Sequence, residues 1–195
     1  MNGKLILENG QSFIGKLFGH IDDTISGEIV FQTGMVGYPE SLTDPSYKEQ
    51  LLVYTYPIIG NYGVPMIQNN KHGISTVFES DHIHVNALIV GEIIHDDKHS
   101  HWQADKSLNQ WLKDEKVVGL SGIDTRELTK IIREHGTMKA KIVVSRNPVD
   151  ENNPTDEKIE YVAQHLVKKV STKKYSLFVC VSCRSSTAAA PPHRG

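Results

Sequence analysis

Three groups of residues in this chain have types and spacings that chemistry uses. Cys180-Val181-Ser182-Cys183 has the C-x-x-C spacing of a redox pair or of half a zinc site. A zinc site needs two further ligands, and the neighbouring residues offer only His193, whereas a redox pair belongs at a helix N-terminus within a strand–helix unit. Ser185-Ser186-Thr187 and the alanines and prolines after them read instead as a flexible end. His95, Asp96, Asp97, His99 and His101 form a second group, with His82 and His84 shortly upstream, all of types that coordinate divalent ions. No helix-borne pair and no Cys-rich second half completes a recognised site, so a solvated loop is expected and no metal is assigned. The third group runs from Gly34 to Gly63. There Gly34, Gly37, Pro39, Pro45, Pro57, Gly60 and Gly63 punctuate Tyr38, Thr43, Asp44, Ser46, Tyr47, Asn61 and Tyr62. Such a segment fixes amides and hydroxyls in non-repetitive positions that a binding surface can use. Thr43-Asp44-Pro45-Ser46 also reads as an ordinary β-turn, with Asp bonding its own backbone and Pro fixing φ.

Covalent catalysis finds no support in these residues. A cysteine nucleophile sits on a tight, glycine-flanked turn beside a base, and neither Cys180 nor Cys183 has a flanking glycine. Nothing matches G-x-x-x-x-G-K-[ST], and no G-x-G-x-x-G follows a strand-like run, so nothing independently supports ATP binding. No catalytic residue is assigned.

The elements that must position the third group are mostly strands. Lys4-Leu5-Ile6-Leu7 and the run 12–18 flank Glu8-Asn9-Gly10-Gln11, which predicts an opening hairpin with a type I′ turn. Residues 28–33, 50–56, 84–90 and 141–144 are further short runs rich in β-branched and aromatic side chains. Helices are fewer and come later. Ser107 can cap a helix bearing Leu108, Trp111 and Leu112, and Asp124-Thr125-Arg126-Glu127 resembles a capping box ahead of Leu128, Ile131, Ile132 and a stop at Gly136. A third helix is expected after Asn153-Pro154, with Ile159, Val162, Ala163 and Leu166 on its apolar stripe. Strands first and helices afterwards predict an α+β domain.

Composition bounds the alternatives. The chain has 195 residues, enough to bury a core without disulfides, and 38% are apolar. Its 21 basic and 23 acidic residues give no global bias toward nucleic acid. Residues 171–195 hold four of the basic residues, none of the acidic ones and both cysteines, which leaves an acidic, cysteine-free body. No stretch reaches the roughly 18 apolar residues of a membrane span, and the N-terminus lacks the features of a signal peptide. A cytoplasmic location is expected.

Gly27-Glu28-Ile29-Val30-Phe31-Gln32-Thr33-Gly34-Met35-Val36-Gly37-Tyr38-Pro39-Glu40 opens a series of longer blocks. Leu42-Thr43-Asp44-Pro45-Ser46-Tyr47, Thr55-Tyr56-Pro57-Ile58-Ile59-Gly60-Asn61-Tyr62-Gly63 and Gly122-Ile123-Asp124-Thr125-Arg126-Glu127-Leu128-Thr129 follow in order. Together they resemble the N-terminal domain of the small chain of carbamoyl-phosphate synthase, over about residues 5–172. The version here looks most like the fused eukaryotic form of the pyrimidine pathway. The resemblance implies a layered β/β/α domain over 1–148, a helical extension over 149–170 toward a glutaminase domain, and a divergent, disordered tail over 171–195.

It also implies a role in glutamine-dependent carbamoyl-phosphate synthesis, in which a Cys-His-Glu glutaminase releases ammonia for a synthetase portion that uses bicarbonate and two ATP with Mg. This domain would support the glutaminase and contact the synthetase large chain or domain. Ser46 matches the serine that helps bind L-glutamine. Beyond about residue 174 the sequence departs from the family's linker and glutaminase. A truncated, spliced or frame-shifted product, inactive by itself, is therefore expected, and a non-catalytic binding module is the alternative.

Overall fold

In the computed structural model the described residues are 1–21, 24–73, 75–94, 98–145, 159 and 166–171. The chain opens with the expected hairpin, β1 (Asn2–Leu7) and β2 (Ser12–Gly19), with Leu5 opposite Phe13 and Ile6 opposite Ser12. Its turn differs from the expected one. Of Asn9 and Gly10 only Gly10 has a positive φ, 87°, and the Gly10 amide donates to the Leu7 carbonyl at 3.0 Å. This is a three-residue loop in which an ordinary turn precedes a left-handed glycine, so Asn9 is spared the conformation that a type I′ turn would demand of it.

The remaining strands are β3 (Ile25–Gln32), β4 (Leu51–Tyr54), β5 (Ile58–Ile59), β6 (Val64–Pro65), β7 (Ala87–Ile89), β8 (Glu92–Ile93), β9 (Ala104–Lys106), β10 (Val118–Ser121) and β11 (Met138–Ser145). Four helices accompany them: α1 (Tyr38–Thr43), α2 (Leu108–Asp114), α3 (Thr125–His135) and α4 (Leu166–Val170). Seven strands close into a barrel in the order β1-β11-β3-β4-β7-β10-β2, while β5 pairs with β8 and β6 with β9. Within the barrel β3, β4, β7 and β10 run parallel to one another. The architecture is α+β, with the sheet closed on itself.

Two apolar clusters sit on opposite faces of the parallel strands. Leu51 and Val53 of β4 and Ala87 and Ile89 of β7 face the barrel interior with Leu5, Leu120 and Ile142, and Leu128 and Ile132 of α3 join them. Leu52, Tyr54, Leu88 and Val90 point the other way, into a second cluster with Tyr38 and Leu42 of α1 and Leu108, Trp111 and Leu112 of α2. Burial on both faces is what parallel strands require, and it explains why β4 and β7 are continuous apolar runs rather than alternating ones. Each fully buried leucine here contributes roughly 1.5–3 kcal/mol.

Two of the helix signals locate correctly, while the start expected after Asn153-Pro154 lies outside the described residues. Ser107 Oγ accepts from the Gln110 amide at 3.1 Å to start α2. The Asp124 carboxylate accepts from the Glu127 amide at 2.9 Å to start α3, and the Gly136 amide donates to the Ile132 carbonyl at 2.8 Å to end it. Sequence reasoning did not expect the early helix α1 or the two-stranded pairs β5–β8 and β6–β9, and β10 is the one barrel strand that it missed. It is four residues long and contains Gly119, where an added Cβ would come within 2.4 Å of the Phe18 ring. The strand needs a glycine so that Phe18 can cross it, and that glycine erases its β signal. Of the expected extension and tail, α4 lies within the described residues. Apart from Ile159 and Ser171 the rest, with Cys180 and Cys183, lies outside them, as do His95, Asp96 and Asp97.

Candidate functional site

The parallel strands give the domain two functional ends. At the amino ends of β4 and β7, α1 runs into a single 3-10 turn, Pro45–Tyr47. Asp44 caps that turn, its carboxylate accepting from the Ser46 amide at 2.8 Å, and the Lys48 amide closes it by donating to the Pro45 carbonyl at 3.1 Å. Ser46 is exposed. Its hydroxyl therefore stands on a backbone fixed by Pro45 and Asp44, free to donate and accept.

Residues 79–84 brace this turn from below. Thr43 Oγ1 donates to the Pro39 carbonyl at 2.8 Å and accepts from the Glu79 amide at 3.1 Å. Ser80 Oγ donates to the Thr43 carbonyl at 2.6 Å and lies 3.0 Å from His84 Nε2. With the Ser80 proton directed at a carbonyl, His84 Nε2 carries the hydrogen in that contact. His84 Nδ1 is then a buried acceptor with no partner among the described residues. The ring is 7% exposed and lies 4.2 Å from that of His82. Burial, followed by electrostatic repulsion from His82 and Lys48, pushes the His84 pKa below its ordinary value, while Asp81 and Asp44 oppose the shift. The extension returns to this end, where Lys169 Nζ of α4 lies 2.5 Å from Glu49 Oε1.

Behind the turn the tyrosines of the Gly34–Gly63 group form a packed cluster. Tyr38 stacks on Tyr62 at 4.3 Å, and Tyr62 Oη accepts from the Gly37 amide at 2.8 Å. Tyr54 Oη lies 3.1 Å from Ser41 Oγ. Burial raises the pKa of all three phenols, that of Tyr54 to about 12, so they stay neutral and serve as fixed hydrogen-bonding groups rather than as acids or bases.

At the carboxyl ends of the same strands lies a cleft of about 650 Å³. Thr33 follows β3, Thr55 and Pro57 follow β4, Gly91 follows β7 and Ile123 follows β10, and all five line it. α3 supplies the remaining wall through Asp124, Thr125, Arg126, Thr129, Lys130 and Arg133. Thr125 Oγ1 ties the helix start to the Thr55 carbonyl at 3.4 Å. Sequence reasoning used the α3 block for its caps and passed over these cations, although their four- and three-residue spacing put them on one helix face. It also passed over His84, which carries no local signal of its burial.

Of the other groups, Cys180, Cys183, His95, Asp96 and Asp97 lie outside the described residues. Among the described residues no set of three His, Cys, Asp or Glu side chains forms a metal cluster. His101 instead meets Tyr62 edge-on at 6.5 Å and lies 6.0 Å from the Trp102 ring.

Comparison with known proteins agrees with the residue blocks. The model of the carbamoyl-phosphate synthase small chain, CPSase domain, matches residues 5–142. The chain is 51% identical over 175 residues to the multifunctional protein CAD of Squalus acanthias, covering 89% of this chain and 7% of that protein. It is 46% identical over 174 residues to the multifunctional protein pyr1-3 of Dictyostelium discoideum, covering 88% of this chain and 8% of the other. It is 44% identical over 172 residues to the carbamoyl phosphate synthase small chain of Pyrococcus furiosus, covering 88% and 45%. The chain thus spans less than half the length of each of these relatives.

Proposed function

The chain belongs to the carbamoyl-phosphate synthase small-chain family, and from that premise we propose that it acts in glutamine-dependent carbamoyl-phosphate synthesis at the start of pyrimidine biosynthesis. Its part is to support a glutaminase at the Ser46 end and to contact the synthetase portion elsewhere. The observation that carries this reading is the Ser46 turn, an exposed hydroxyl on a backbone held by Pro45, Asp44 and the Thr43–Ser80 bond. A neutral hydroxyl in a fixed position can bond the polar groups of an amino-acid substrate without adding charge.

Two further features support the assignment of ends. α4, at the end of the extension, is tied to Glu49 beside the turn, which sets it at the end of the domain where a following glutaminase would meet Ser46. The whole Gly34–Gly63 segment is spent on rigidity, with Tyr38, Tyr54 and Tyr62 locked as neutral partners. In this reading bicarbonate, ATP and magnesium belong to the synthetase portion, and glutamine hydrolysis belongs to the glutaminase. This chain contributes positioning and contact, and no catalytic group.

Reconstitution tests the proposal. The chain is combined with a glutaminase domain and the synthetase large chain from the same organism, and glutamine-dependent carbamoyl phosphate is measured. The proposal expects a complex whose glutamine-dependent activity requires this chain. Full activity without it, or no complex with either protein, would refute the reading.

A further inference from the structure

The cleft at the carboxyl ends of the parallel strands has no role in binding glutamine at the opposite end. Arg126, Lys130 and Arg133 fall within about 60° of the α3 circumference, and Arg126 and Arg133 are about 10 Å apart along its axis. All three are exposed, and among the described residues none of them forms an ion pair. Glu127 and Glu134 lie on the adjoining face of the helix, so the cationic stripe is segregated. Asp124 also lines the cleft, but its carboxylate is engaged by the Glu127 amide.

The loops leaving the same strand ends carry exposed apolar side chains. Met35 and Val36, just after β3, are 69% and 72% exposed, and Tyr56 and Ile58 flank Pro57 just after β4. A row of cations with no ion pair among the described residues, in the company of exposed Met, Val, Tyr and Ile, has the composition of a protein interface, in which Arg, Met and aromatic residues are enriched. A stripe about 10 Å long is longer than one phosphate, whereas an extended segment, rising about 3.3 Å per residue, can set carboxylates against all three cations.

We propose that this cationic, apolar-rimmed cleft is the docking surface for an acidic segment of the synthetase portion of the enzyme. Its position decides between the two partners, because the Ser46 turn and α4 occupy the opposite ends of β4 and β7 and leave the carboxyl ends to the synthetase. For the identity of the partner the inference rests on the proposed function. For the chemistry of the surface it rests on the cations alone.

The test measures association of the full chain with the purified synthetase large chain from the same organism, by calorimetry at low and at moderate salt. The comparison variant combines Arg126→Glu, Lys130→Glu and Arg133→Glu, three exposed positions whose substitution leaves the barrel core untouched. The wild-type chain is expected to bind with a strong salt dependence, and the variant about 100-fold more weakly with that dependence flattened, its circular dichroism unchanged. A second variant, Met35→Ser with Val36→Ser, is expected to weaken binding while keeping the salt dependence. Undiminished binding by the charge-reversed variant would overturn the inference and leave the proposed function standing. Absence of binding by the wild-type chain would overturn both. Tight binding of inorganic tripolyphosphate that the charge reversal abolishes, with large-chain binding unaffected, would assign the cleft to a small polyanion instead and overturn the inference.

Discussion

The two ends of β4 and β7 are built from the same strands and do opposite things. At the amino ends the loops are cross-braced: Asp44 holds Ser46, Thr43 holds Glu79 and Ser80, and His84 is buried beneath them. At the carboxyl ends β4 runs out into Thr55 and Pro57 and β7 into Gly91, and α3 lines the opening with cations that form no ion pair among the described residues. A pre-paired end suits a small neutral or zwitterionic ligand, since little remains to be ordered when it binds. An unpaired cationic end suits a charged partner that supplies the missing anions. In the proposed reading the barrel is a spacer that keeps the two ends about a strand length apart.

Substitutions can break this comparison at its centre or at either end. The largest effect is expected from Gly119→Val, which drives a side chain into the Phe18 ring between β10 and β2. Overpacking there should cost about 3 kcal/mol and harm both ends together, read as a lowered denaturation midpoint with both glutamine support and partner binding impaired. Asp124→Ala removes the α3 cap and should cost about 1 kcal/mol. It should loosen the cationic wall while leaving the Ser46 turn intact. Equal damage at the two ends from Asp124→Ala would show that they are not separable.

A pH titration of stability probes the braced end. Burial and the neighbouring His82 and Lys48 hold folded His84 below its ordinary pKa of 6.5. The unfolded chain therefore takes up this proton first as pH falls, and stability declines as pH drops through about 6.5; well above that value both states are neutral and the contribution is flat. His84→Gln should remove this part of the slope. The same slope in wild type and variant would place the titrating group elsewhere.

How much of this was legible in the sequence depended on how local the cause was. The caps at Ser107 and Asp124 were readable because the side chain and the amide it accepts from lie three residues apart. The β4 and β7 runs were readable as strands, although closure into a barrel depends on the pairing of β1 with β11, residues near opposite ends of the domain. β10 was hidden by Gly119, which exists for a side chain about a hundred residues away. The Ser46 turn was visible as Asp-Pro-Ser, but its bracing by Ser80, bonded to Thr43 across 37 positions of chain, left no local mark. The cationic face of α3 lay open in the spacing of Arg126, Lys130 and Arg133, and only the cleft beside it gave that spacing a use.

The central claim is that Ser46, on its braced turn, serves glutamine. In the assembled synthase, Ser46→Ala is measured for carbamoyl-phosphate formation with glutamine and with ammonia as alternative nitrogen donors. Loss of one hydrogen bond worth about 1 kcal/mol should raise the KM for glutamine several-fold and leave the ammonia-dependent rate unchanged. An unaltered glutamine KM, or an equal loss with both donors, would contradict the account.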